Sequence, residues 1–396
     1  MKNKALYIGL LFVTLNMVSC DDFLQKDPPS SPSESIYWKS KSDFVQALTA
    51  CYSVIYDGQK AFSEIMPCYD NLTDNALCQF DDSRYGRTKT MIQGDIYPTT
   101  DGYVSIVYNT AFKAISRCNL FLFKLNEYEG RDITEEEKTY MAAQAKALRG
   151  YFYHWLFLCY KEVPVFTEFL SLDEQYQPKA TRKEIYDQIM KDLGEAANEL
   201  GDHTYMDAPG RITKSACLAF MARVTMFNGY SDAEGIPVGV AKQEDMRKVA
   251  ELCEQVKGYD LDENIRTAFV ESMQMDSKEM IFSARYGAPD LANEVNLIYA
   301  GWSSIMVQRN LVDAFECTDG LPWGESPLTV LVDEDLINSK TADKDLITAE
   351  REKLFINRDQ RLKKGINAIT IYRFPENPGY PDNPCVYNNE PSVMSI

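Results

Sequence analysis

Histidine is almost absent: His154 and His203 are the only two in 396 residues. One falls in a helical stretch and the other in a loop, which leaves no metal cluster at usable spacing and no evident Ser-His-Asp set. Neither G-x-S-x-G nor G-x-G-x-x-G occurs, and no phosphate loop is present. C-x-x-C is missing as well, and with it the usual redox and zinc spacing. Beyond the first twenty residues no apolar run is long enough to cross ~30 Å of hydrocarbon. Basic side chains are in deficit, 41 against 59 acidic, which argues against nucleic acid or an anionic membrane surface as the ligand. A glycosidase would need paired carboxylates such as Asp81 and Asp82, but among 59 acids a pair somewhere is expected by chance. The reading that remains is a binding protein, not an enzyme, with no cofactor.

The start of the chain reads as an export signal. Lys2 and Lys4 precede a mostly apolar run from Ala5 to Val18, about fourteen residues or roughly 21 Å as a helix. That is short for a membrane span and suits a signal-peptide core. The run ends at Met17-Val18-Ser19-Cys20, followed by Asp21 and Asp22. A small Ser19 before a cysteine suits a peptidase that cleaves once the sulfur is acylated. The pattern resembles a bacterial lipobox, with Met17 where leucine is usual; the plain alternative is an ordinary secretory signal with a chance cysteine. The expected mature chain begins at a lipid-bearing Cys20 and is held on a membrane by that lipid. Without Lys2 and Lys4 its net charge moves from −18 to −20. One acyl chain binds only marginally, so the several chains of a lipoprotein matter.

Ten cysteines are present. With Cys20 lipidated an odd number remains, and these cannot all pair. Cys51, Cys118, Cys159, Cys217 and Cys253 sit among apolar residues in helical stretches and read as small core residues rather than a disulfide framework. The 24 Tyr, 19 Phe and 4 Trp suit stacking on sugars or peptides and equally suit packing.

Along the chain, helix follows helix. Residues 20–41 are polar and carry Pro28, Pro29 and Pro32, an extended tether. A helix begins near Ser42 and Asp43 and runs to Asp57-Gly58. The stretch 71–98 lacks periodicity and reads as a long loop. Another helix covers about 102–128. Thr134 with Glu137, and Thr181 with Glu184, are capping boxes that open two more. Behind Thr181, Ile185, Ile189, Leu193, Ala196 and Leu200 form one apolar stripe closed by Gly201. Further helices are expected over 213–228 and 242–257. Their succession suggests stacked antiparallel hairpins of the tetratricopeptide kind, although no fixed repeat period exists. After Tyr259 the texture changes: Met280-Ile281-Phe282-Ser283 reads as a short strand, then loops alternate with short helices. Pro375, Pro378, Pro381 and Pro384 make the end irregular. The expected architecture is mainly α: a signal peptide (1–19), the tether (20–41), a helical domain (42–258) and a loop-rich C-terminal part (259–396).

Several motifs resemble those of the SusD/RagB family, surface nutrient-binding lipoproteins of Bacteroidetes. Cys20-Asp21-Asp22-Phe23-Leu24 looks like that family's mature start. Ala145-Lys146-Ala147-Leu148-Arg149, with Tyr153, Leu156 and Tyr160 through Val163-Pro164, is similar to one of its helices and the loop leaving it. Thr181 to Tyr186, with Ile189, Asp192 and Leu193, is similar to the next. Gly210-Arg211-Ile212-Thr213-Lys214, then Ala216, Ala219 and Ala222-Arg223-Val224, is similar to the one after. Leu311-Val312-Asp313 with Asp319-Gly320, and Asn357-Arg358-Asp359-Gln360-Arg361, resemble two later signatures, with Gln360 in place of a usual proline. Members normally continue into a further helix, and this chain stops at Ser392 to Ile396, where that helix should begin. The expectation is a C-terminal part that is incomplete.

The resemblance implies a surface-exposed, lipid-anchored protein of the outer membrane. It would capture oligosaccharides and deliver them to a SusC-like TonB-dependent transporter. A peptide-binding module of the RagB type is the alternative, and a surface glycoside hydrolase a more distant one. It also implies that ligand contacts lie in irregular segments. Two segments carry aromatic rings beside polar donors and acceptors, as a sugar's apolar face and hydroxyls require. One holds Tyr69, Asp74, Asn75, Arg84 and Tyr85; the other holds Tyr299 and Trp302, with Trp323 beyond Asp319-Gly320. For each there is a packing alternative: Trp302 as an interface plug, Asp74 and Asn75 as turn caps. Trp38 and Trp155 read as packing. Arg149, Arg223, Arg358 and Arg361 read as buried or half-buried bridges between elements.

Replacing the lipid-bearing residue, Cys20→Ala, should leave an unprocessed or soluble protein. Labelling with a fatty-acid analogue checks this, and label that persists in the variant would overturn the lipobox reading.

Overall fold

The computed structural model describes residues 37–56, 66–77, 88–97, 102–207, 209–264, 267–268, 273–286, 306–337, 339 and 341–365. The leader, Cys20 and most of the tether lie outside them, as do Asp57-Gly58 and the closing prolines. The helices are α1 (Lys41–Ser53), α2 (Thr88–Ile92), α3 (Tyr103–Glu127), α4 (Glu135–Cys159), α5 (Arg182–Glu199), α6 (Lys214–Gly229) and α7 (Gln243–Glu254). Short helices follow: α8 (Arg309–Ala314), α9 (Glu334–Ile337), α10 (Lys344–Glu352) and α11 (Gln360–Gly365). Among the described residues the only ladder joins β1 (Ala76–Leu77) to β2 (Met306–Val307), antiparallel. The fold is thus mainly helical, as the periodicity implies.

Local chemistry sets the helix starts. Thr134 accepts from the Glu137 amide while Glu137 reaches back to the Thr134 amide, and Thr181 and Glu184 do the same. Ser40 and Asp43 form a third box, so α1 begins at Lys41 rather than near Ser42. Thr213 caps α6. Each box satisfies two amides that have no partner inside the helix. Gly102, at φ +78°, turns the chain into α3, a conformation that costs a residue without Cβ little.

Helix α4 is the centre. It packs against α3 on one side and α5 on the other, and α5–α6 and α6–α7 continue the row of hairpins. Its run from Leu148 to Phe157 is buried on every face, as expected of a helix enclosed by neighbours. The α5 stripe is buried throughout: Ile185, Ile189, Leu193, Ala196 and Leu200. Gly150 lets the two helices close, since a Cβ there would lie 2.8 Å from Leu193 Cγ.

Beside Gly150 stands the main polar network. Buried Arg149 donates from Nε and Nη2 to both carboxylate oxygens of Asp192, at 2.8 and 2.6 Å. Its Nη1 donates to Asn119 Oδ1 (2.8 Å) and to the Thr167 carbonyl (2.7 Å). Asn119 in turn donates to the carbonyls of Phe166 and Glu168, and Tyr153 Oη accepts from the Phe166 amide at 2.6 Å. Burial opposes the Arg149 charge, but the bonds and charge of Asp192 outweigh it and its pKa is raised. One guanidinium therefore joins α3, α4, α5 and the segment leaving α4.

A second, smaller core gathers Val312, Leu354 and Leu362. Arg358 is buried there and donates to the carbonyls of Val312 (2.5 Å) and Phe315 (2.6 Å). Arg149 and Arg358 are thus the bridges the sequence suggests. Arg223 and Arg361 are not: both are exposed, Arg223 beside the Trp155 ring and Arg361 on Asp359, two residues away. Cys51, Cys118 and Cys217 are buried free thiols, whereas Cys159 is half-buried and Cys253 is exposed on the outermost helix. The stretch 280–283 is not a strand. It has no ladder partner and is held by side chains: Phe282 meets Tyr151 and Phe220, and Ser283 bonds Tyr205. The long loop at 71–98 is likewise interrupted, by β1 and by α2.

Two outcomes follow for the core. Arg149→Leu strands a buried carboxylate and should cost about 3–5 kcal/mol, read by urea unfolding, with the added change Asp192→Leu restoring part of it. His154 is fully buried on α4 against Tyr151, Trp155 and Phe220. Burial first, then the positive charge of Arg223, pushes its pKa down to about 3. The unfolded chain then binds a proton that the folded chain refuses. Stability should fall as pH drops below about 6.5, by up to about 1.4 kcal/mol per unit, down to the folded-state value. His154→Phe should remove that component from a stability-against-pH curve.

Candidate ligand-binding site

A short ladder joins the first of the two segments to the chain just beyond Trp302. Ala76 pairs with Val307 and Leu77 with Met306, and the Gln308 amide donates to the Asn75 carbonyl at 2.8 Å, adding one more bond. Because the pairing is antiparallel, the chain leaving Leu77 and the chain entering Met306 share one end of the ladder. Asn75 and Gln308 mark the other end.

The approach to β1 is a compact turn. A 3-10 segment spans Met66–Leu72, after which the Thr73 amide and hydroxyl both donate to the Asp70 carbonyl, and Thr73 Oγ1 accepts from the Asn75 amide. This fixes the backbone and leaves the Asp74 side chain exposed and that of Asn75 half-buried. Neither side chain hydrogen-bonds another described residue. A carboxylate acceptor and an amide with both functions are thereby available to a polyhydroxyl ligand.

Tyr69 anchors the turn. Its ring is half-buried, 5.8 Å from Tyr103 and 6.3 Å from Trp155, and burial raises its pKa, with Cys159 adding and Arg223 opposing. Trp155 is buried in α4, and the guanidinium of Arg223 lies 5.5 Å from its ring. Burial also raises the pKa of Asp70. Trp323 sits beyond the other end of the ladder. It is half-buried on the second core, with the guanidiniums of Arg309 and Arg358 at 5.0 and 5.6 Å from its ring. Trp323 and Tyr69 therefore have packing roles of their own. Arg84, Tyr85, Tyr299 and Trp302 lie outside the described residues, as do Asp81 and Asp82. In sequence, Trp302 stands four residues before Met306, and Arg84 and Tyr85 follow Leu77 by seven and eight.

Two residues of this region escaped the sequence reading. Asn71 is fully buried with neither amide atom hydrogen-bonded, the costly form of polar burial. Nothing in a Tyr-Asp-Asn triplet announces that. Arg223, taken for a buried bridge, is instead a surface cation next to the Tyr69–Trp155 pair. Elsewhere, a cavity of about 600 Å³ opens between the first turn of α4 and the end of α5, lined by Glu135, Glu136, Tyr140, Glu199 and His203 among others. None of the ligand contacts expected from the sequence lines it. His154, neutral and enclosed, has no access to a substrate. Among the described residues no three His, Cys, Asp or Glu side chains are placed to hold a metal ion.

Comparison with known proteins gives a consistent answer. The family model described as SusD-like, "Starch-binding associating with outer membrane", matches residues 22–226. SusD-like protein P38 of Formosa agariphila is 25% identical over 329 residues, 79% of this chain and 61% of its own. A SusD-like carbohydrate-binding protein of Bacteroides fragilis superposes with a TM-score of 0.62 at 22% identity, covering 83% of this chain and 59% of its own. Surface glycan-binding protein A of Bacteroides thetaiotaomicron, solved with laminarihexaose, gives 0.50 at 20% identity, over 70% and 55%. The chain spans about three fifths of the length of the first two relatives.

Proposed function

The chain belongs to the SusD-like family, whose model covers residues 22–226, and we propose that it is a glycan-binding lipoprotein of the outer-membrane surface. In this reading the lipid on Cys20 anchors it, and it passes captured oligosaccharide to a SusC-like TonB-dependent transporter. The observation that carries the reading is the β1–β2 ladder. It joins the first of the two aromatic and polar segments to the chain that directly follows the second. From the shared end of that ladder depart the sequences that contain Arg84, Tyr85, Tyr299 and Trp302; near its other end stand Asp74 and Asn75. Aromatic rings stack on the C–H faces of sugars, while carboxylate and amide groups bond the hydroxyls. The family's description, starch binding at the outer membrane, and the laminarihexaose bound by one structural relative both favour a neutral glucan.

Within this site Trp302 is the residue assigned the stacking face, and Tyr69 and Trp323 stand behind the surface as supports. Gly301 and Ser303 flank it, small residues that crowd the ring little. Losing an aromatic anchor costs on the order of 2 kcal/mol, roughly a thirtyfold loss of affinity. Trp302→Ala should therefore weaken binding of laminarihexaose or a starch oligosaccharide by about that factor in calorimetry, with the helical circular dichroism unchanged. Equal affinity in the variant, or no binding of either glucan by the parent protein, would refute the neutral-glucan site.

A further inference from the structure

Away from the ladder, the end of α1 carries a concentration of donors that lacks acceptors. Tyr52 and Tyr56 follow one another around the last turn of α1 and the 3-10 turn that extends it. Tyr52 is buried, donates to Gln144 Oε1 (2.5 Å) and accepts from the Ile212 amide (3.0 Å). That second bond fixes the loop before α6, and with it Arg211. The Arg211 guanidinium lies over the Tyr52 ring at 4.6 Å, a stacked arrangement that holds the fork in place. Its Nη2 has only a long bond to Thr49 Oγ1, 3.4 Å, and its Nη1 has no partner.

A second arginine passes the same loop. The Arg285 amide donates to Tyr56 Oη at 2.7 Å, and the Arg285 stem crosses Gly210, where a Cβ would lie 3.5 Å from its Cδ. Gly210 is at φ +81° and immediately precedes Arg211. Arg285 is exposed, and its Nη2 meets only the weak acceptor Met275 Sδ, at 3.1 Å. Tyr286 closes the side of the group, its ring 5.2 Å from that of Tyr56. Tyr56 is half-buried, and although burial raises its pKa, the charges of both Arg285 and Arg211 pull it back. Neighbouring Lys214 has a carboxylate, Asp202 at 2.7 Å. Among the described residues neither Arg211 nor Arg285 has one, in a chain whose net charge is −18. Both guanidinium charges act on the Tyr56 hydroxyl, and a fork without a carboxylate finds its best partner in a planar or tetrahedral oxyanion.

We propose that Arg211 and Arg285, with the hydroxyl of Tyr56, form a binding site for a single oxyanion, the carboxylate or sulfate group of an acidic ligand. The site stands apart from the ladder and does not rest on the neutral-glucan reading. Arg211, stacked and half-buried, is the fixed half; Arg285 is the exposed half. The Tyr56 hydroxyl, which accepts from Arg285, retains its own proton to donate.

The test uses the full folded protein and two simple probes, sodium glucuronate and sodium sulfate, titrated at constant ionic strength and followed by NMR or calorimetry. Saturable binding of at least one is expected; which one binds tells carboxylate from sulfate. Arg285→Ala, which removes an exposed side chain, should weaken it about tenfold or more. Arg211→Lys, which keeps the charge and loses the fork, should weaken it too. Arg131→Ala, an exposed cation elsewhere, should leave it unchanged. Absence of saturable binding by both probes, or equal binding in the Arg285→Ala protein, would overturn the proposal. So would equal weakening by Arg131→Ala, which would reduce the effect to overall charge.

Discussion

The helical layer depends on one buried ion pair. Arg149 and Asp192 are both withdrawn from water, with side chains 7% and 1% exposed. Such a pair adds little net stability compared with apolar residues of the same shape, because two charges must first be desolvated. What it imposes is register. Arg149 meets Asp192 while the next residue, Gly150, meets Leu193, so a polar lock and a steric lock lie side by side on the same two helices. A slip of one turn would leave a charge unpaired and drive a side chain into a backbone at once. The remaining guanidinium donor and Asn119 then hold the carbonyls of the segment from Phe166 to Glu168, so the path of the chain out of α4 depends on the same pair.

What was legible in the sequence was local. The boxes Thr134–Glu137 and Thr181–Glu184, the α5 stripe and the Gly201 stop each act within a few residues of one another, and each marks an element that is present. The family resemblance was legible too, since it rests on short motifs in order along the chain. Interactions between distant parts were not. Arg149 and Arg223 look alike in sequence, each on a helix among alanines and apolar residues. Only the tertiary arrangement gives the first a carboxylate in the core and leaves the second at the surface. The stretch Met280 to Ser283 reads as a short strand but lies against the aromatic side chains of α4 and α6 and finds no ladder partner among the described residues.

The candidate site shows the same division. Sequence named both segments from their composition, and the side chains of Asp74 and Asn75 hydrogen-bond no other described residue. It gave no sign that the first segment pairs with the chain beyond the second, because a ladder of two residues per strand has no pattern to detect. It gave no sign either that Asn71 is enclosed without a hydrogen bond, or that Tyr69 turns inward to Tyr103 and Trp155.

That short ladder also bears on how the molecule assembles. The helical hairpins join neighbours in sequence and gain their contacts early in folding. Ala76 and Val307 are about 230 residues apart, and joining them closes a loop whose entropy is recovered only once the intervening helices are packed. The ladder is therefore the last part to form and, with four paired residues to hold it, the first to open. A chain released from synthesis has its helices before it has the ladder, so a ligand that needs the ladder in place is waiting for the whole fold.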